Sequence, residues 1–215
     1  MKKAFFILIL IIFSQCGETP SPLQNKFDKG EKGNVIPSSL IHSFEDNYNP
    51  NDLDGWTGIG SSNQDSISNQ VTASEFYNGL KSLRMKISHS QELKGYSWLA
   101  CTLGPDTETD KDGNPAPQKR DVSDYAYIGF YIKVMQDWTR FYVELGDITT
   151  PQGQSIKVPV TVIRKPAKWQ LVKVKLDDFS GIDLERVTKF VISLNEDIET
   201  QQNIEFYLDD IGFMK

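Results

Sequence analysis

The chain has 215 residues and a mass of 24.4 kDa, which confines it to one domain or two small ones. Hydrophobic residues make up 39%, with 12 Phe, 8 Tyr and 4 Trp, enough to build a core and to exclude disorder throughout. A net charge of −6 excludes the phosphate neutralisation that nucleic-acid binding needs, and two His and two Cys leave little for His- or Cys-based catalysis or a zinc site.

At the start of the chain, Lys2 and Lys3 precede the apolar run from Ala4 to Phe13. At about 1.5 Å per residue this run is too short to span a bilayer core of roughly 30 Å, and it has the length of an export signal. Ser14 and Gln15 follow, then Cys16. The arrangement resembles a bacterial lipoprotein signal. The resemblance implies that residues 1–15 are removed and that Cys16 becomes the first mature residue, carrying diacylglycerol and an amide-linked, palmitate-type acyl chain. Phe13-Ser14-Gln15 departs from the usual Leu, small residue and Gly or Ala. The alternative is ordinary secretion with cleavage nearby and a free thiol. Without Lys2 and Lys3 the balance is 21 basic against 29 acidic residues, a net −8. Such a surface is not drawn to anionic lipids, so an acyl anchor is what would hold it at a membrane.

Residues 16–34 read as a tether, with two Pro, three Gly, many charges and no apolar period. From residue 35 to 215 the period is two. Leu83, Met85 and Ile87 alternate with Arg84 and Lys86, and Ile128, Phe130, Ile132 and Val134 with Tyr127, Gly129, Tyr131 and Lys133. The same pattern runs through 140–147 and through Val158, Val160 and Val162. Further strands are expected at 40–45, 67–73, 96–103, 169–176, 189–194 and 203–213, with a single helical turn at 184–187. Gly104 to Asp124 reads as a solvated loop. About ten strands and no long helix predict an all-β fold, two antiparallel sheets packed as a β-sandwich. Cys101 alternates with Leu99 and Leu103, which predicts a buried thiol outside any disulfide.

Several stretches together resemble one superfamily: SFED at 43–46, GLKSLRMKI at 79–87, DVSDYAYIGFYIKV at 121–134, KWQLVKVKLDDF at 168–179 and FYLDDIGF at 206–213. They are similar to galactose-binding-like jelly rolls, and most to carbohydrate-binding modules of families 4, 11 and 30. The resemblance implies that first and last strands lie side by side and hold a structural calcium. Its ligands would be the carboxylates of Glu45 and Asp209, with Asp210 competing, and carbonyls from Ser43 and the turn at Asn78 and Lys81. The other reading of these residues is ordinary strand-end carboxylates. A second acidic stretch, Glu108 to Asn114, resembles the first half of an EF-hand loop but has Lys119 where the closing Glu belongs, so it reads as a solvated loop.

Residues in the alternate register show what the outer faces offer. Sugar rings stack on flat aromatics and take hydrogen bonds from charged groups at the rim. Trp98, Tyr131, Tyr142, Arg84 and Glu144 supply that chemistry and are expected to share one outer face. Cross-strand aromatic pairs that only stabilise a sheet are the alternative. Trp56 and Trp169 match positions that pack structurally in the resembling modules and are not expected at the site. No nucleophile elbow, zinc-protease, phosphate-loop or CxxC motif is present, and the acids lie in loops and strand ends, so the expectation is a non-enzyme. The expected function is an exported lipoprotein, anchored to the bacterial envelope at the outer membrane, whose domain binds a polysaccharide or glycoconjugate. The alternative is an adhesin or envelope protein that binds a host or envelope protein through the same sandwich.

Overall fold

The structure, a computed structural model, describes residues 39–46, 49–61, 66–89, 96–109, 113–150, 154–166, 168–195 and 201–215. The signal, Cys16 and the tether lie outside them, as do Asp110, Lys111 and Asp112 of the acidic loop. Thirteen strands occur among the described residues: β1 Ser39–His42, β2 Thr57–Ser61, β3 Ser66–Thr72, β4 Ser82–Ser88, β5 Tyr96–Thr102, β6 Glu108–Thr109, β7 Pro115–Ala116, β8 Tyr127–Val134, β9 Trp138–Asp147, β10 Ile156–Ile163, β11 Gln170–Lys175, β12 Val187–Asn195 and β13 Asn203–Met214. One 3-10 turn, Leu176–Asp178, follows β11.

Every pairing is antiparallel. One sheet runs β11-β8-β13-β4-β3, with β1 also on β13; the other runs β10-β9-β12-β5-β2. The inward residues of the two sheets meet in one core. Leu83, Met85, Ile128, Phe130 and Phe206 come from the first sheet, and Leu99, Phe141, Val143, Leu145 and Phe190 from the second, all fully buried. Phe130 bridges the sheets, with ring centroids 5.9 Å from Phe141 and 6.2 Å from Phe190. These are distances at which aromatic pairs add to plain burial. The predicted all-β sandwich is therefore the fold.

Cys101 lies in this core with its thiol pushed up to about 12, chiefly by burial, against a lowering contribution from the Thr57 hydroxyl 3.6 Å away. It is a packing residue.

Three local differences from the sequence expectation have physical causes. First, β1 stops at His42, because Phe44 adopts a left-handed φ of 59° and the Ser43 N–H turns to the Asp52 carboxylate. Second, β2 (TGIGS) has two glycines, which no propensity argument reads as a strand. Third, the loop from Gly104 to Asp124 is not wholly solvated. It forms the β6–β7 ribbon, pairs Arg120 with Val187 and buries Ala116 and Val122.

Candidate functional site

Strand register places the outward residues of the five-stranded sheet in rows. Gly60 of β2 opposes Trp98 of β5, which opposes Ser193 of β12, then Tyr142 of β9, then Pro159 of β10. The next row on the same face is Gly58, Ala100, Val191, Glu144 and Lys157. Beyond it Lys189 opposes both Thr102 and Gly146. Small residues along β12 and β5 leave a trough between an aromatic side and a charged side. The result is an open groove of about 490 Å³, whose lining includes Trp56, Tyr96, Trp98, Glu144, Lys157 and Lys189.

The aromatic side depends on the glycines of β2. A Cβ on Gly58 would lie 1.8 Å from Cη2 of Trp56, and one on Gly60 would lie 2.5 Å from Cζ2 of Trp98. Both indoles therefore lie down over bare backbone, with ring centroids 6.2 Å apart and planes at 47°. Trp56 is 47% exposed and Tyr96 48%, large values for side chains of this size. The resemblance implies a packing role for Trp56; the structure puts it at the groove. The signal was present in the neighbouring glycines at 58 and 60.

The charged side is organised by Glu144, 5% exposed. Its carboxylate accepts hydrogen bonds from the hydroxyls of Ser155 and Ser193 and an ion pair from Lys157 at 3.2 Å. The Lys157 ammonium also sits 5.7 Å from the Tyr142 ring. Lys189 lies across Gly146 and donates to the Gln154 carbonyl. Burial pushes its ammonium pKa down, Glu144 and Asp147 pull it up, and neighbouring Lys157 pushes it down again; the balance is a lowered value.

Trp98, Tyr142 and Glu144 thus share one face as expected. Arg84 and Tyr131 do not: they belong to β4 and β8 on the outer face of the other sheet. Tyr131 is 4% exposed and stacks on Tyr77 at 3.5 Å, and Trp169 closes on Tyr77 at 6.2 Å. Arg84 is committed to Glu205 through Nε and Nη2 at 2.8 and 2.6 Å. That carboxylate meets opposing influences, burial raising its pKa and Arg84 with Lys86 lowering it, and settles below its ordinary value. Around Arg84 and Tyr131 the opposite face is therefore packed and internally paired. A second open groove, of about 580 Å³, lies on β3, β4 and β13 with Ser68, Lys86, Gln136 and Glu205 in its lining.

The expected calcium ligands also come together. β13 is flanked by β4 along Asn203–Leu208 and by β1 along Ile211–Phe213, with a bulge at Asp209 and Asp210 between them. Glu45 and the turn 77–81 meet at this break. Left-handed φ values at Phe44, Gly79 and Asp210 gather here. The donors, however, are already engaged. Asp209 accepts from the N–H groups of Tyr77, Asn78 and Asp210 at 2.9 to 3.0 Å, and Glu45 from Leu80 at 2.9 Å and Lys81 at 3.3 Å. Asn78 donates to Asp210 at 3.0 Å, and the Lys81 ammonium takes the Glu45 carbonyl at 2.7 Å. Ser43, the remaining expected ligand, donates its N–H and hydroxyl to Asp52. Among the described residues no group of three or more His, Cys, Asp or Glu side chains is arranged to hold a metal ion. This donor set does not fit calcium: carboxylates aimed at N–H groups and an ammonium on a would-be ligand carbonyl make a hydrogen-bonded latch. Glu45→Ala is expected to cost about 0.5–1.5 kcal/mol, the net worth of an ordinary hydrogen bond, because the exposed Leu80 N–H it frees can turn to water. Its melting curve and that of the unaltered protein should be the same with calcium or chelator. A calcium-dependent rise of several degrees in the unaltered protein, absent in the variant, would restore the metal.

The sequence profile of the family described as Carbohydrate binding domain 30 matches residues 42–215. No curated protein matches the chain in sequence. Among solved structures, the fold is similar to the family 11 carbohydrate-binding module of a cellulosomal cellulase of Clostridium thermocellum. The TM-score is 0.56 at 14% identity, over 84% of this chain and 96% of that one. The Clostridium thermocellum family 11 module in complex with a β-1,3-1,4-mixed-linked tetrasaccharide gives 0.55 at 14% identity, over 84% and 97%. A family 30 carbohydrate-binding module gives 0.50 at 23% identity, over 73% and 90%.

Proposed function

The chain belongs to the carbohydrate binding domain 30 family, and from that membership we propose that the groove on its five-stranded sheet is the site of non-catalytic glycan binding. The observation that carries this reading is the pair of indoles over Gly58 and Gly60. Trp56 and Trp98 offer flat apolar surface to the C–H faces of sugar rings, and polar groups stand across a trough floored by Ala100, Val191 and Ser193. The complex of a family 11 module with a tetrasaccharide is a further reason to place a sugar chain on such a sandwich.

No step of bond cleavage is assigned to the groove. Glu144, the one lining carboxylate among the described residues, is hydrogen-bonded on both oxygens, so these residues supply no glycosidase pair of acid and base groups. The module is further proposed to be exported and tethered to the bacterial envelope, at the outer membrane, through acylated Cys16. The support for this is the signal-like run before that residue. The intact mass of the mature protein checks it, since a chain starting at Cys16 without acyl groups would remove the anchor.

A glycan array followed by calorimetric titration tests the binding. Trp98→Ala is expected to weaken the best oligosaccharide by about tenfold or more, as truncation of a buried aromatic contact does at other interfaces. Tyr131→Ala, on the opposite face, should leave that affinity in place. Silence on the array together with saturable binding of a protein would shift the reading to an adhesin.

A further inference from the structure

We propose that the groove selects an anionic polysaccharide, one whose sugars carry carboxylate or sulfate groups; this rests on the reading of the groove as a glycan site and specifies its ligand class.

Charge is the first argument. Among the described residues the lining holds two ammonium groups, Lys157 and Lys189, against the single carboxylate of Glu144. The described lining is therefore net positive in a chain of net charge −6. A cationic patch that runs against the overall charge of its protein marks the place where an anion is received.

Hydrogen-bond direction is the second. A carboxylate only accepts, so Ser155 and Ser193 must both point their protons at Glu144, and Lys157 adds a third donor. The one acidic group is thus consumed inside the wall and is not offered to a ligand. Among the described residues no Asp, Asn or Gln lines the groove. A neutral sugar is usually gripped by carboxylates and amides that bind adjacent hydroxyls in pairs, and the described wall has none to spare. What it does offer is ammonium N–H. Lys157 gives one bond to Glu144, and Lys189 gives one to the Gln154 carbonyl; an ammonium has three donors.

Among the described lining residues the two lysines share one counter-charge, Glu144, and Asp147 adds a second near Lys189 from outside the lining. Burial together with Lys157 acts against the charged form of Lys189. An acidic group entering beside Lys157 and Lys189 would meet two ammonium groups, while the sugar ring that bears it rests on Trp98 or Trp56.

The test is calorimetric titration of the protein with oligosaccharides of equal length, one neutral β-glucan, one uronate-containing and one sulfated. Salt is varied from about 0.01 M to about 1 M, over which the screening length falls from roughly 30 Å to roughly 3 Å. At low salt at least one anionic oligomer should bind about tenfold more tightly than the neutral one, and this advantage should vanish at high salt. Whether the uronate or the sulfate arm responds identifies the anion. Lys157→Gln and Lys189→Gln should each reduce the anionic-to-neutral affinity ratio. Equal or tighter binding of the neutral oligomer, or a ratio unmoved by salt and by both substitutions, would overturn the selectivity while leaving a glycan site. No binding of any oligomer, with Trp98→Ala indistinguishable from the unaltered protein, would overturn the glycan site and the selectivity together.

Discussion

Replacing Phe130 with alanine is expected to lower the unfolding free energy by about 3–5 kcal/mol, the usual cost of emptying a large aromatic site in a core. Phe130 is fully buried on β8 and touches rings from two strands of the facing sheet, Phe141 on β9 and Phe190 on β12. Its loss removes contacts from both layers at once. The surrounding β-sheet backbone is hydrogen-bonded on both sides, to β11 and to β13, and cannot collapse into the space. For a domain of this size the melting temperature should fall by on the order of 10 °C. Denaturant titration of the variant checks it: a loss below 1 kcal/mol would mean that the two sheets do not interlock through this ring. Because Phe130 points away from the groove, glycan affinity of the fraction that remains folded should be retained.

Gly58→Val is expected to do the reverse, weakening glycan binding by about ten- to a hundredfold with stability changed by less than about 1 kcal/mol. Valine suits a strand, so the backbone of β2 has no reason to object. The conflict is with the side chain above it. The new Cβ would sit 1.8 Å from the Trp56 ring, so the indole must lift off the sheet. Trp56 is half exposed and contributes little to the core, so its displacement costs binding surface and not fold. Calorimetry and a melting curve on one sample separate the two quantities. Retained affinity would show that the platform of indoles is not where the sugar rests. Gly60→Val probes Trp98 in the same way, at 2.5 Å. Together these substitutions treat glycine as a binding-site residue that never touches ligand.

That role explains why β2 carries no strand signal in the sequence. In TGIGS the two glycines erase the alternation by which β4 (SLRMKIS, 82–88) and β8 (YIGFYIKV, 127–134) were read to the residue. The feature that hid β2 is the feature that makes the groove. The latch at Glu45, Asp209 and Lys81 is a related case. The resemblance brought the right residues to one place, but whether their oxygens face a cation or N–H groups depends on the turn 77–81 and the break in β13.

The alternation of side chains along each strand is a local property. One residue's direction settles its neighbours', so Trp98, Tyr142 and Glu144 could be read as outward while Leu99, Phe141 and Val143 were read as buried, and the structure agrees. Which strands then lie side by side is not local. β5 pairs with β12 nearly ninety residues later in the chain, and β4 with β13 at even greater separation. Outward aromatics look alike on either sheet, because both use the same two-residue period. Arg84 and Tyr131 therefore satisfied the same pattern as Trp98 and Tyr142, yet ended on the opposite side of the sandwich beneath Tyr77 and beside Glu205. Inside and outside were written in the chain; the partner across the sheet, and with it the membership of the groove, came only from long-range pairing.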